Sequence, residues 1–249
     1  MNIVVCLKRV PDTTAKIKVA ADGKSLDSQG VEFIISPYDE FAIEEALRIK
    51  EKIGTGEVVG VTLDPDGQDT ILRKALAMGV DRGILIKGGD SLDGAATAEI
   101  LAGVLKTVKF DLLFFGKQAI DSDSCQVPSY VACRLGLPRV NVVTRLELVE
   151  KKIVCRRQIE GGEEVYELPI PGVIACTKGA NEPRYPSLKG IMAAKKKPVQ
   201  ILEAPKVDAR LEVLKMEPPS ERPPGRIVGQ GVEAVPELVR LLREEAKVI

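Results

Sequence analysis

Apolar and polar positions follow one grammar up to Pro138 and another after it. In the first part, short apolar runs alternate with stretches of helical spacing. Residues 2–10 open on a β-branched run and predict a first, central strand. Short segments at 17–19 and 31–35, separated by Asp22-Gly23, predict a hairpin. Ser36-Pro37-Tyr38-Asp39 reads as a helix start, with Ser as N-cap, Pro at the first position and an acid two residues later. Ala42, Ala46, Ile49 and Ile53 then share one face. The unit recurs. Residues 57–63 form a strand, and a helix opens at Asp64-Pro65, with Leu72, Ala75 and Leu76 on one side and Gly79 as its stop. Residues 82–87 form a strand, 92–108 a helix, 110–116 a strand, and 130–137 a helix ended by Gly136 and Pro138. Strand and helix at this interval imply right-handed crossovers and an α/β fold with a doubly wound, mostly parallel sheet.

After Pro138, strand-like runs at 140–148, 152–158, 164–168 and 172–177 alternate in polarity, with a turn at Glu160-Gly161-Gly162. They predict antiparallel strands that extend the sheet. Residues 205–231 hold Pro218-Pro219 and Pro223-Pro224 and keep no period, so they read as a linker or arm. A helix at 235–248 carries Val235, Leu238 and Leu242 on one side and must bury that stripe on its own domain or on another subunit. The expected division is a nucleotide-sized α/β domain at 1–198 and a Pro-rich arm with a terminal helix at 199–249.

Composition narrows the chemistry. The 36 Lys and Arg balance the 36 Asp and Glu, so no global field gathers nucleic acid or an anionic membrane. The absence of histidine removes Ser-His-Asp and Cys-His nucleophile pairs, His metal sites and the usual neutral-pH proton shuttle. No catalytic residue and no metal site is assigned. The five cysteines show no C-x-x-C spacing, and their odd count fits a reducing compartment. The chain enters a strand directly after Met1 and holds no run of about 18 apolar residues, so the expectation is a cytoplasmic protein without membrane insertion.

The stretch 111–138 is the candidate binding site, because ligands collect where a loop leaves the carboxyl end of a strand and enters a helix. Its backbone donors and the Ser122 and Ser124 hydroxyls suit a phosphate. Asp121 and Asp123 would repel one unless they turn away to cap backbone N–H groups, and a capped helix without ligand is the competing reading. Lys8-Arg9 could approach the same crevice. Cys6 and Cys125 read as buried small hydrophobes, and Lys195-Lys196-Lys197 as a solvated face. Residues 181–188, stiffened by two prolines, project Tyr185 and Leu188 and read either as a rigid docking anchor or as a loop tucked on the core.

Three stretches carry a resemblance: GKQAIDSDS at 116–124, LAMGVDRGI at 76–84 and NEPRYPSLKGIMAAKKKP at 181–198. Together they resemble the β subunit of electron transfer flavoprotein, with similarity from VVCLKRVPD in the first strand to Pro198. The resemblance implies an adenine-nucleotide-binding, Rossmann-like domain in a heterodimer. The α-subunit partner holds most of the FAD; this subunit binds a structural AMP and offers the surface on which flavin dehydrogenases dock. It implies AMP contacts at Cys6, at Ser36, Pro37, Tyr38 and Asp39, at Thr62, and along Gly116, Lys117, Gln118, Ala119, Ile120, Asp121, Ser122, Asp123, Ser124, Cys125, Gln126 and Val127. The docking anchor falls on Leu188, with Tyr185, Ile191 and Met192 beside it. Val127 stands where animal members have threonine, Thr13 where some members set an aromatic against the flavin, and Ala193 where some have a lysine. Ser124-Cys125-Gln126-Val127 leans toward members that bifurcate electrons with a second FAD in this site, whereas Ser122 and Pro128 depart from them. A nucleotide-using enzyme of the same fold is the third reading, against which stands the single glycine of the loop.

Overall fold

The computed structural model describes residues 1–249 except Ser91, Lys151, Arg222 and Pro223; Pro223 of the second proline pair therefore lies outside the described residues. Nine strands form the main sheet, in the order β11 (Val199–Glu203), β5 (Arg82–Lys87), β4 (Val58–Asp64), β1 (Ile3–Leu7), β6 (Leu112–Gly116), β10 (Gly172–Cys176), β7 (Arg139–Val149), β8 (Lys152–Ile159) and β9 (Gly162–Pro169). Pairing is parallel from β11 to β7 and antiparallel from β7 to β9. All five residues of β1 and of β6 are buried, as the continuous apolar runs require of strands covered on both faces. Helices α1 (Pro37–Ile53) and α2 (Thr70–Met78) pack their apolar sides on one face, through Ile43, Ala46, Ile71 and Leu76. Helices α3 (Gly94–Leu105) and α4 (Val127–Leu135) cover the other, through Ala98, Leu101, Val131 and Ala132. The order reverses direction beside β1, which places the topological switch point between β1 and β6.

Several expectations are corrected. The partner of β3 (Phe33–Ile35) is β2 (Arg9–Pro11), a continuation of the first strand. Residues 17–19 contribute a single bridge, Val19 to Leu26, around a turn in which the Asp22 carboxylate accepts from Lys24 N and Ser25 N; the flanks are too polar to bury a ladder. Helix α2 starts at Thr70, not at Asp64-Pro65, because Asp64 is drawn into the buried end of β4 by Arg9. Helix α4 begins at Val127, and Gly136 closes it in the left-handed conformation. Residues 172–176 are not an antiparallel extension: five consecutive buried residues make β10 an interior parallel strand between β6 and β7. Strand β11 carries the sheet to Glu203, past the boundary drawn at 198.

Residues 188–194 form α5 (Leu188–Ala194), capped by the Ser187 hydroxyl. The lysine run behind it is not uniformly solvated. Lys197 Nζ donates to Leu76 O at 2.8 Å and also to Val80 O, covering carbonyls at the end of α2. Beyond β11 the described residues form no regular element until the 3₁₀ turn Val232–Ala234 and α6 (Val235–Glu244), which ends before the expected 248 and has no buried residue.

Candidate functional site

The carboxyl ends of β1 and β6 and the N-termini of α1 and α4 converge at the switch point. Asp39, in the first turn of α1, is 7% exposed. One carboxylate oxygen accepts from Gly116 N at 2.9 Å, the other from Lys8 N at 2.8 Å. It thus braces α1 against the ends of both strands. Only glycine fits at 116: a Cβ there would lie 2.5 Å from Asp39 Oδ1 and 2.6 Å from the Tyr38 carbonyl carbon. Burial pushes the Asp39 carboxyl up to about 7, against the pull of the Lys8 and Gly116 N–H groups and the Lys8 charge.

The expected nucleotide residues divide into a floor and a rim. Cys6, Ser36, Asp39, Thr62 and Gly116 are buried. Thr62 donates its hydroxyl to Leu7 O at 2.9 Å. Burial, reinforced by the Asp39 charge, pushes the Cys6 thiol far up, which makes it an inert packing group. Pro37 and Tyr38 are half-buried at the start of α1, and the Lys117 ammonium lies 5.8 Å from the Tyr38 ring centroid. Ala119 and Ile120 are half-buried, and 121–126 form an exposed rim. Cys125 belongs to that rim, so its expected burial is corrected; its thiol faces Gln118 Oε1 at 3.0 Å.

The two aspartates are not helix caps. Asp121 pairs with Lys8 at 2.7 Å, and Asp123 accepts from the Gln118 amide. Lys8 offsets the Asp121 charge and Gln118 turns the Asp123 carboxylate to its own amide, which weakens the objection to a phosphate. Ser36 likewise does not cap α1 with its side chain; its hydroxyl turns toward Gln118 O at 3.4 Å. Helices α1 and α4 present N-termini without a side-chain cap, as do α2 and α6 elsewhere, whereas α3 and α5 are capped by Asp93 and Ser187. Asp123 and Cys125 both hold positive φ, 48° and 54°, in a loop without glycine after 116. Backbone strain of this kind concentrates at ligand clamps. The Lys8-Arg9 pair splits: Lys8 joins the rim, while Arg9 turns to Asp64 and Asp66 and lies 4.3 Å over the Phe33 ring. Two cavities of about 290 and 400 Å³ lie farther along the same edge, and none of the expected nucleotide residues lines either.

The second feature is the loop 181–188. Tyr185, Leu188 and Met192 are 95%, 83% and 72% exposed, with Ile191 partly covered. Its base is clamped onto α1. Arg184 Nε donates to Glu44 at 2.7 Å and its terminal nitrogens to Glu51 at 2.6 and 3.1 Å, while Asn181 donates to Phe41 O and Glu45. Sequence reading missed this clamp, whose partners lie more than 130 residues apart. The charged pattern of Glu44, Glu45 and Glu51 on a helix with a buried face was its only signal.

Among the described residues, no group of three or more Cys, Asp or Glu is placed to hold a metal ion, and no helix is long and apolar enough to cross a membrane. Comparison with known proteins matches residues 24–207 to the electron transfer flavoprotein domain. An electron transfer flavoprotein subunit beta from Syntrophomonas wolfei is 42% identical over 238 residues, covering 96% of this chain and 92% of its own. The subunit beta from Bacillus subtilis is 40% identical over the full length of both chains. A caffeyl-CoA reductase-Etf complex subunit, CarD, from Acetobacterium woodii is 39% identical over 204 residues, covering 81% of this chain and 78% of its own. A doubly wound sheet and full-length similarity at this level agree: the chain belongs to the electron transfer flavoprotein family, as a β subunit.

Proposed function

We propose that this chain is the β half of a heterodimeric electron carrier in the cytoplasm that accepts electrons from flavin dehydrogenases, such as acyl-CoA dehydrogenases, and delivers them to a quinone-linked oxidoreductase. The observation that carries the docking part is the apolar tip of the 181–192 segment, left open to solvent while its base is pinned by Arg184. Three large apolar side chains on a pre-ordered loop form a docking anchor, because the cost of ordering the loop is met before the partner arrives. In this reading FAD, held mostly by the α subunit, supplies the redox chemistry, and this chain helps enclose it and performs no bond chemistry. The five free cysteines are consistent with a reducing compartment.

The crevice suits AMP. The hydroxyls of Ser122 and Ser124 and the N-termini of α1 and α4 offer donors to a phosphate, and Lys8 and Gln118 already engage the rim carboxylates. The segment beyond Met216 and α6, whose Val235 and Leu238 stand exposed, would wrap the α subunit. Co-expression tests the assembly: the two chains should purify as one complex, and a stable monomer that ignores the α subunit would overturn the proposal. Acid release and chromatography of the bound nucleotides should give one FAD and one AMP. A second reading, a bifurcating subunit with its own FAD in the crevice, is favoured by Ser124-Cys125-Gln126-Val127 and by similarity to a subunit of a caffeyl-CoA reductase-Etf complex. Two FAD and no AMP would establish it instead.

A further inference from the structure

The first part of the arm does not leave the domain. Ala204 N donates to Lys87 O at the end of β5 at 2.8 Å, and Ala204 and Val207 pack on the α3 side of the sheet over the smaller cavity, against Leu92 and Ile100. The chain then crosses the carboxyl edge. Lys24 pairs with Glu212 at 2.9 Å, and Met216 N donates to Gly23 O at 2.8 Å, on the turn that follows β2. Between these ends lies one polar fastening. Asp93, the N-cap of α3, accepts from Ala95 N and Ala96 N with Oδ1, and its Oδ2 accepts from the backbone N–H groups of Arg210 and Leu211. The next residue, Gly94, abuts the candidate loop, since a Cβ on it would lie 3.3 Å from Gln126 Oε1.

We infer that residues 204–216 are a strap that closes the nucleotide crevice from the chain's own side, and that Asp93 is the positioning residue that latches it. This rests on the nucleotide reading given above. Each oxygen of one carboxylate has a separate task, so the tasks can be separated by substitution. Asparagine caps a helix as well as aspartate does, and Asp93→Asn keeps an oxygen for α3 while turning an N–H₂, which cannot accept, toward Arg210 and Leu211. Asp93→Ser is a second variant that caps α3 without reaching the strap.

The test uses the intact heterodimer. Bound nucleotide is exchanged against excess radiolabelled AMP, and amide hydrogen exchange is followed across 205–216. In both variants the release rate and the exchange of those amides should rise tenfold or more, with the thermal midpoint unchanged. Unaltered release from Asp93→Asn, whether or not the strap amides exchange faster, would overturn the strap while leaving the nucleotide reading intact. A wild-type heterodimer that carries no nucleotide in this chain would overturn that reading, and the strap's closing role with it.

Discussion

Replacing Gly116 by alanine adds one methyl group at the point where β6 meets the start of α1. Two of the three atoms it would meet, the Tyr38 carbonyl carbon at 2.6 Å and Asp39 N at 2.7 Å, are backbone, so a side-chain rotation cannot make room. Helix α1 must shift as a body, and the Gly116–Asp39 hydrogen bond stretches with it. Overpacking of this kind costs about 1–3 kcal/mol, and leaving the buried Gly116 N–H without its partner adds about 1–3 kcal/mol. The expected loss is about 3–5 kcal/mol, a fall of roughly 10 °C in Tm for a chain of this size. Gly103 is the control. It lies in α3, exposed, with nothing within 4 Å of an added Cβ, so the same substitution should stabilise by about 0.5–1 kcal/mol through helix propensity. Denaturant unfolding of the two variants side by side checks both signs. A Gly116→Ala protein within about 0.5 kcal/mol of wild type, on the scale of an ordinary surface change, would refute the claim that α1 is braced on β6.

Arg184→Gln should raise the KM of a docking dehydrogenase for the heterodimer about tenfold, equivalent to about 1.4 kcal/mol, with kcat and nucleotide content unchanged. Leu188→Ala should do the same, and the double variant should be less than additive, because Arg184 acts by ordering the loop that carries Leu188. Simple additivity in steady-state kinetics would separate the two residues. Lys197→Met should cost about 1 kcal/mol in thermal unfolding by leaving the Leu76 and Val80 carbonyls without their donor, whereas Lys195→Ala and Lys196→Ala should change nothing measurable. Asp39 sets a pH dependence. Its folded value of about 7 lies above the ordinary 3.8, so the folded chain keeps a proton that the unfolded chain releases. The Asp39 contribution to stability is then greatest below about 4 and is lost as pH rises through 7. Carboxyl carbon NMR should find the Asp39 midpoint near 7, and a midpoint below 5 would refute the desolvation argument.

The parts of this fold that were legible in sequence are those whose environment is set locally. β5 was read to the residue because its apolar run is bounded by Asp81-Arg82 and Gly88-Gly89, and the start of α1 because Pro37 admits few alternatives. The candidate crevice was placed by the general rule about carboxyl edges. What escaped were pairings made across the chain. Asp121 and Asp123 look like caps in sequence because Asp near a helix start usually is one; Lys8, more than 100 residues away, takes the first of them. The parallel insertion of β10 was hidden for the same reason. Its five apolar residues suit any buried strand, and only the space left between β6 and β7 decides where they go.

The crevice and the docking loop, far apart in sequence, hang on a single helix. α1 has Asp39 at one end against β1 and β6, and along the same 17 residues Glu44, Glu45 and Glu51 hold Asn181 and Arg184. Its inner face, Ala42, Ile43, Ala46 and Ile49, is nearly inaccessible to solvent, so the helix sits in the core as a rod about 25 Å long. A displacement at its N-terminus would reach the loop as a rigid shift, and closely packed interiors absorb little of such a shift. This distinguishes the two appendages of the domain. The 181–192 segment is held at its base by charged pairs on a core helix, which suits a surface that must be in place before a partner arrives. The strap at 204–216 is packed on the domain at Ala204 and Val207, but beyond them it is held by backbone hydrogen bonds to the half-buried Asp93 carboxylate and to Gly23 O and by one exposed ion pair, Lys24–Glu212, which suits an element that opens and closes on a folded domain.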